Sequence, residues 1–205
     1  MFTLESHEYY SKNNFIEIIG MPASGKTTLL REMVLNNSEV VNVNEALPKS
    51  KIIRQIYKMK CLSLYFINFP KQSIRDSKII LASKQKKWSD FFTVITNWFL
   101  VVYLYEMYKN NQECIYVWDQ GLFQAIWSIN FSSTRMFDSR ELIKDKVLSK
   151  KVHFIDVEEN ILVERAINRN IPIRLNYNDK DQIQRGREAL KRTIECLTAV
   201  GYNKS

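Results

Sequence analysis

Residues Phe15 to Leu30 read FIEIIGMPASGKTTLL: a short apolar run, then Gly20, then Gly25, Lys26 and Thr27. The spacing, Gly, four residues, then Gly-Lys-Thr, is that of a phosphate-binding loop between a strand and a helix. Such a loop curls tightly enough around a polyphosphate for successive backbone N–H groups to point at its oxygens, and side chains would block that approach. Glycine removes the Cβ and opens positive φ, and Gly20 and Gly25 are two of only five glycines in the chain. The nucleotide-binding candidates are Gly20, Ala23, Ser24, Gly25, Lys26, Thr27 and Thr28. Lys26 reaches the β- and γ-phosphates as a point charge, Thr27 offers its hydroxyl to Mg²⁺, and the new helix turns its unsatisfied N–H groups toward the anion. A helix terminus contributes only about 0.3–1 kcal/mol per charge. The amides, the lysine and the metal must therefore supply most of the affinity.

Outside this loop the chain of 205 residues, 45% hydrophobic, is enough for one good core. No Pro-, Gly- or Ser-rich linker divides it, so residues 1–205 are expected to form a single domain. Cys61, Cys114 and Cys196 are odd in number and lie in no metal-ligand spacing, which argues for a reducing, cytoplasmic setting rather than a disulfide framework or zinc site. The N-terminus lacks an apolar signal-peptide core. The most apolar stretch, Phe91 to Tyr105, falls short of the ~20 residues that span a bilayer, and a buried helix explains it better. A net charge of +8 raises the local concentration of phosphate-bearing substrates. With cations spread along the chain and no nucleic-acid motif, nucleic acid is an unlikely partner.

In chain order, a polar lead-in (1–13) precedes a strand at Phe15 to Ile19 and a helix ending near Leu35. A second strand, Val40 to Val43, closes in Asn44-Glu45. Residues 48–111 read as helical with basic faces, broken at Pro70, and include a buried helix from Trp88 to Tyr108. A third strand, Cys114 to Trp118, runs into Asp119-Gln120-Gly121 and a helix from Leu122. A fourth strand, Val152 to Val157, precedes a helix from Glu158 to about Arg169, and a last helix runs from Asp181 to Val200. This alternation predicts an α/β fold: a short parallel sheet of about four strands flanked by helices. Ligands of such sheets bind at the carboxyl ends of the strands. The Gly20–Thr27 loop, Asn44 with Glu45, Asp119 and the segment after Val157 should therefore converge.

These features together resemble the P-loop kinases of the nucleoside and nucleotide kinase group, thymidylate kinases above all. The resemblance implies a three-layer P-loop NTPase sandwich that uses ATP and Mg²⁺. It implies that Asp119, which matches the Asp opening those enzymes' Asp-Arg-Tyr motif, joins Thr27 at the metal and orients the acceptor. Here the motif reads Asp-Gln-Gly, without the arginine that clamps an acceptor phosphate. Glu45 resembles the acidic residue that takes the acceptor's proton. Arg165 and Arg169, four apart on one helix face, resemble the lid (158–178) that closes over ATP. The acceptor pocket would be built by 48–111, with Gln120, Gln124, Phe123 and Trp127 beside it and Lys51, Arg54, Arg75 and Lys78 as cations for an acceptor phosphate. The fifth strand of those kinases is expected to be missing. The expected activity is transfer of the γ-phosphoryl of Mg-ATP to a nucleoside, a nucleotide or, alternatively, a sugar or other small molecule. A regulatory protein that holds ATP without turnover is the non-enzymatic alternative. A homodimer through the aromatic helix is compatible with the same pattern.

Overall fold

The computed structural model describes residues 2–6, 14–111, 113–146, 149, 151–168, 175–177 and 179–204, with the side chains of 2–6 and 203–204 excepted. Its strands are β1 (Phe2–Ser6), β2 (Phe15–Gly20), β3 (Val40–Asn42), β4 (Ile115–Trp118), β5 (Lys151–Ile155) and β6 (Tyr202–Lys204). Its helices are α1 (Lys26–Asn36), α2 (Lys51–Asn68), α3 (Pro70–Ala82), α4 (Trp88–Tyr108), α5 (Leu122–Ser132), α6 (Arg140–Ile143), α7 (Glu159–Ile167) and α8 (Lys180–Ala199). The sheet order is β3-β4-β2-β5-β1-β6. The four strands expected from the sequence, β3, β4, β2 and β5, run parallel.

The sheet does not end at β5, and this corrects the sequence reading at both ends of the chain. β1, within the supposed lead-in, lies antiparallel beside β5, and β6, within the last residues, pairs with β1. No further parallel strand stands beside β5 among the described residues. β1 occupies that position.

Side chains alternate along the strands and feed two apolar layers. Ile18 and Val117 face α1, where they pack with Leu30. Phe15, Ile19, Trp118 and Phe154 face the opposite side, where α4, α5 and α8 bring the larger core. The chain leaves β2 through α1 toward one edge of the sheet, and leaves β4 through α5 toward the other. Right-handed crossovers in opposite directions put these helices on opposite faces and open a crevice at the carboxyl ends of the central strands. By length and apolarity α4 matches a membrane span, yet it packs between α2 and α5 and buries Trp98, Phe99, Val102 and Tyr105.

Two buried carboxyl groups order this core. Asp76 of α3 accepts from Lys146 Nζ at 2.7 Å and from Trp98 Nε1 at 2.9 Å, tying α3 to α4 and to the segment after α6. Glu17 of β2 accepts from the Phe123 N–H at 2.9 Å, from Ser149 Oγ at 2.8 Å and from the Tyr105 hydroxyl. It sits so close under Gly121 that a Cβ there would stand 2.5 Å from the carboxyl carbon. Burial pushes the Glu17 pKa from 4.5 up to about 7, against the hydrogen bonds of Tyr105, Phe123 and Ser149, which pull it down.

A carboxyl raised in this way stabilises the fold in its neutral form. The contribution is fully present below about pH 4.5 and is lost as the pH rises through about 7. Urea denaturation midpoints should therefore fall between about pH 5 and pH 8, and Glu17→Gln should flatten that slope. Equal slopes in the two proteins would disprove the assignment.

Candidate functional site

The loop after β2 is held by its own chemistry. Gly25 (φ 100°) and Ala23 (φ 64°) adopt the left-handed backbone. Gly20 does not; it is needed because a Cβ would lie 2.6 Å from the Ile155 carbonyl oxygen and 2.7 Å from Ser24 Oγ. The two glycines thus answer to different needs. Four carbonyls of the loop are held by side chains: Lys26 Nζ donates to Gly20 O at 2.8 Å and Met21 O at 2.9 Å, the Tyr177 hydroxyl donates to Pro22 O, and Arg165 Nη1 donates to Ser24 O at 3.3 Å. Helix α1 has no side-chain cap, and the Thr28 and Leu29 amides both close on the Gly25 carbonyl, at 3.0 and 3.1 Å. Ser24 Oγ is buried without a hydrogen-bond partner among the described residues. Such an orphan costs about 1–3 kcal/mol, and a ligand oxygen would relieve it.

Asp119 follows β4 and is 4% exposed. Its Oδ2 accepts from Thr27 Oγ1 at 2.8 Å and its Oδ1 from the Asn44 side-chain amide. Asn44 in turn accepts from Trp118 Nε1 at 3.0 Å. A 3-10 turn, Val43–Ala46, presents Asn44, with Asn42 Oδ1 capping the Asn44 N–H at 3.0 Å. Three strand ends therefore meet as expected: the Gly20–Thr27 loop, Asn44 and Asp119, with Arg165 arriving from α7. Arg169 lies outside the described residues. Glu45 is exposed, accepts from Asn42 Nδ2 at 3.1 Å, and is not among the residues that line the cavity. Asn44 is the residue after β3 that reaches the site.

The loop opens on a cavity of about 410 Å³, within the usual size of a small-molecule site. Gln120, Gln124 and Trp127 line it, as do Thr93, Asn97 and Leu100 from α4, whereas Phe123 belongs to the core. Arg54 and Lys58 of α2 form part of the wall. Arg54 Nε donates to Pro48 O at 2.9 Å. Burial, and then the neighbouring Arg54 charge, lower the Lys58 pKa. Asp119 is the sole acid among the described lining residues. Of the other cations expected here, Lys51 and Lys78 are solvent-exposed, and Arg75 pairs with Asp76 and Asp145.

Lys58 and Asn97 were not singled out from the sequence as site residues. Lys58 stands four residues after Arg54 and shares its helix face, the one signal that would have found it. Asn97 is a polar interruption of the otherwise apolar helix α4. No group of three His, Cys, Asp or Glu forms a metal cluster among the described residues. Thr27 and Asp119 would give a divalent cation one hydroxyl and one carboxylate, a set that suits Mg²⁺, which keeps most of its shell as water and substrate phosphate.

No protein-family model, curated protein or solved structure matches the chain.

Asn44→Ala would strip Trp118 Nε1 and Asp119 Oδ1 of their partner in one step. The expected cost is about 1–3 kcal/mol, read from urea denaturation. An unchanged midpoint would show that Asn44 does not order this corner.

Proposed function

We propose that the protein is an ATP-dependent phosphotransferase of the P-loop kinase kind, moving the γ-phosphoryl of Mg-ATP to a small acceptor of nucleoside or nucleotide type. The observation that carries the proposal is the meeting of three features in one cavity: the Gly20–Thr27 loop, the Thr27–Asp119 contact and the facing cations Arg54 and Lys58. An acceptor oxygen would attack the γ-phosphorus as the bond to the β-phosphate oxygen of departing ADP breaks. Lys26 would exchange the Gly20 and Met21 carbonyls for the β- and γ-phosphates, and the backbone of Ala23, Ser24, Gly25 and Thr28 would cradle them. Bound Mg²⁺ would neutralise charge on the phosphates. Thr27 and Asp119 would hold it, and Asp119 would orient the acceptor. Arg165, bonded to the Ser24 carbonyl, stands beside the loop to meet charge developing on the transferring group, with Arg169 as its proposed companion. Two cations without an acid on their wall favour an acceptor that is itself anionic over a neutral sugar. The cysteines are free thiols, as a cytoplasmic location would leave them, and nucleic acid remains a distant alternative.

A second reading, ATP binding without turnover, draws support from Glu45. With its carboxylate outside the cavity, Asp119 would have to serve metal and acceptor alone, and Gln120 stands where the related kinases carry arginine.

ADP release from Mg-ATP across a panel of nucleosides, nucleotides and sugars separates the two. Acceptor-dependent release should vanish in Lys26→Ala and Asp119→Ala and fall about 10³-fold or more in Arg165→Ala. Tight ATP binding with no release for any acceptor would establish the second reading instead. For a phosphorylated acceptor, Arg54→Ala and Lys58→Ala should raise KM about tenfold with little change in kcat, the mark of lost ground-state binding. An unchanged KM would remove these cations from the acceptor site.

A further inference from the structure

From Lys49 to Arg75 the chain carries seven Lys and Arg residues and no Asp or Glu. This stretch forms α2 and the start of α3, which meet at Pro70 through a residue, Phe69, that leaves the helical backbone (φ -134°, ψ 57°), while the Phe69 N–H donates to Tyr65 O at 2.8 Å and the Ser73 N–H to Phe69 O at 2.9 Å. One side of the pair is core, with Cys61, Tyr65, Ser73, Asp76 and Ile80 buried. The other side is not polar, as a solvated helix face would be. Ile52 (75% exposed), Ile56 (64%), Met59 and Ile67 (74%) recur on α2, and Ile74 and Leu81 on α3, at intervals of three, four, seven or eight residues that place each set along one face of its helix. Lys51, Lys60, Lys71 and Lys78 are exposed along the flanks of those faces. Asp76, the first acid after Glu45, is buried and paired with Lys146.

Exposed apolar faces of this kind mark a contact surface. A second copy of the chain would set lysines against lysines, with no acid on this face to relieve them. A partner helix would need an unbroken seam, but Ser63, Pro70 and Ser77 occupy the intervening positions, and the proline bends the axis. A bilayer surface tolerates both the gaps and the bend, and its anionic headgroups complement the flanking lysines. We infer that the outward face of α2 and α3 docks on anionic membrane surfaces, lying in the headgroup layer without spanning it.

The test is flotation of the full chain with phosphatidylcholine vesicles, with and without about 30 mol% phosphatidylserine. Binding is expected to the serine-containing vesicles alone at low ionic strength, with release near 1 M salt, where the screening length shrinks to about 3 Å. The Ile52→Glu/Ile56→Glu pair should abolish binding, and each of Lys60→Glu and Lys71→Glu should weaken it at least about fivefold. Unchanged circular dichroism would certify the folds of these surface variants. Absence of wild-type binding to phosphatidylserine vesicles would overturn the inference, as would binding indifferent to the isoleucine pair. A solution dimer that Ile56→Glu dissociates, with no vesicle binding, would assign the face to a second copy.

Discussion

A single buried carboxyl, Glu17, joins the parts that make the crevice. Its oxygens receive hydrogen bonds from α4 through Tyr105, from the first turn of α5 through Phe123, and from Ser149 just ahead of β5. Ser149 passes the connection outward, since its carbonyl accepts the hydroxyl of Tyr202 in β6. The central strand, the helices on its larger-core face and the far edge of the sheet are therefore referenced to one residue beneath the Asp119–Gly121 turn. Burying such a group costs more than a hydrogen bond returns unless nearly every lone pair is met. The same completeness fixes where α5 begins, and hence where Asp119 points.

The cavity above this junction is electrostatically lopsided. Lys26 stands at the loop, Arg54 and Lys58 on the α2 wall, and Asp119 supplies the negative charge among the described lining residues. Like charges that share a partly desolvated space repel more strongly than they would in water. Burial, and then the Arg54 charge, make Lys58 hold its proton less firmly than a free lysine. An anion entering the space would offset the repulsion between these cations.

What the sequence revealed and what it hid divide along physical lines. The loop was legible because its tight curl restricts the residues it can hold: Gly25 takes φ 100° and a Cβ on Gly20 would lie 2.6 Å from the Ile155 carbonyl oxygen. The parallel strands were legible as apolar runs, clearest in β2 and β4, which are buried along most of their length. The edge strands β1 and β6 were not, because YNK has no apolar run, the alternation of FTLES spans only five residues, and both form only against a partner distant in the chain. The choice between Asn44 and Glu45 was also hidden. It turns on which way a 3-10 turn presents two successive side chains, and a carboxylate in sequence looks like the better base. Glu17 drew no notice inside FIEIIG, where its chemistry depends on Tyr105 and Ser149, residues far away in sequence.

The pairing of β1 with β6 sets residues 4–6 of the chain against residues 202–204. The register of that ladder closes a loop that runs from Ser6 to Tyr202, and its entropy cost can be met only by an already assembled neighbour. β5 is that neighbour for β1, and β1 then offers the edge on which β6 is laid. The outer margin of the sheet would thus stay open until Tyr202–Lys204 joins β1, after the parallel strands and the Gly20–Thr27 loop are in place.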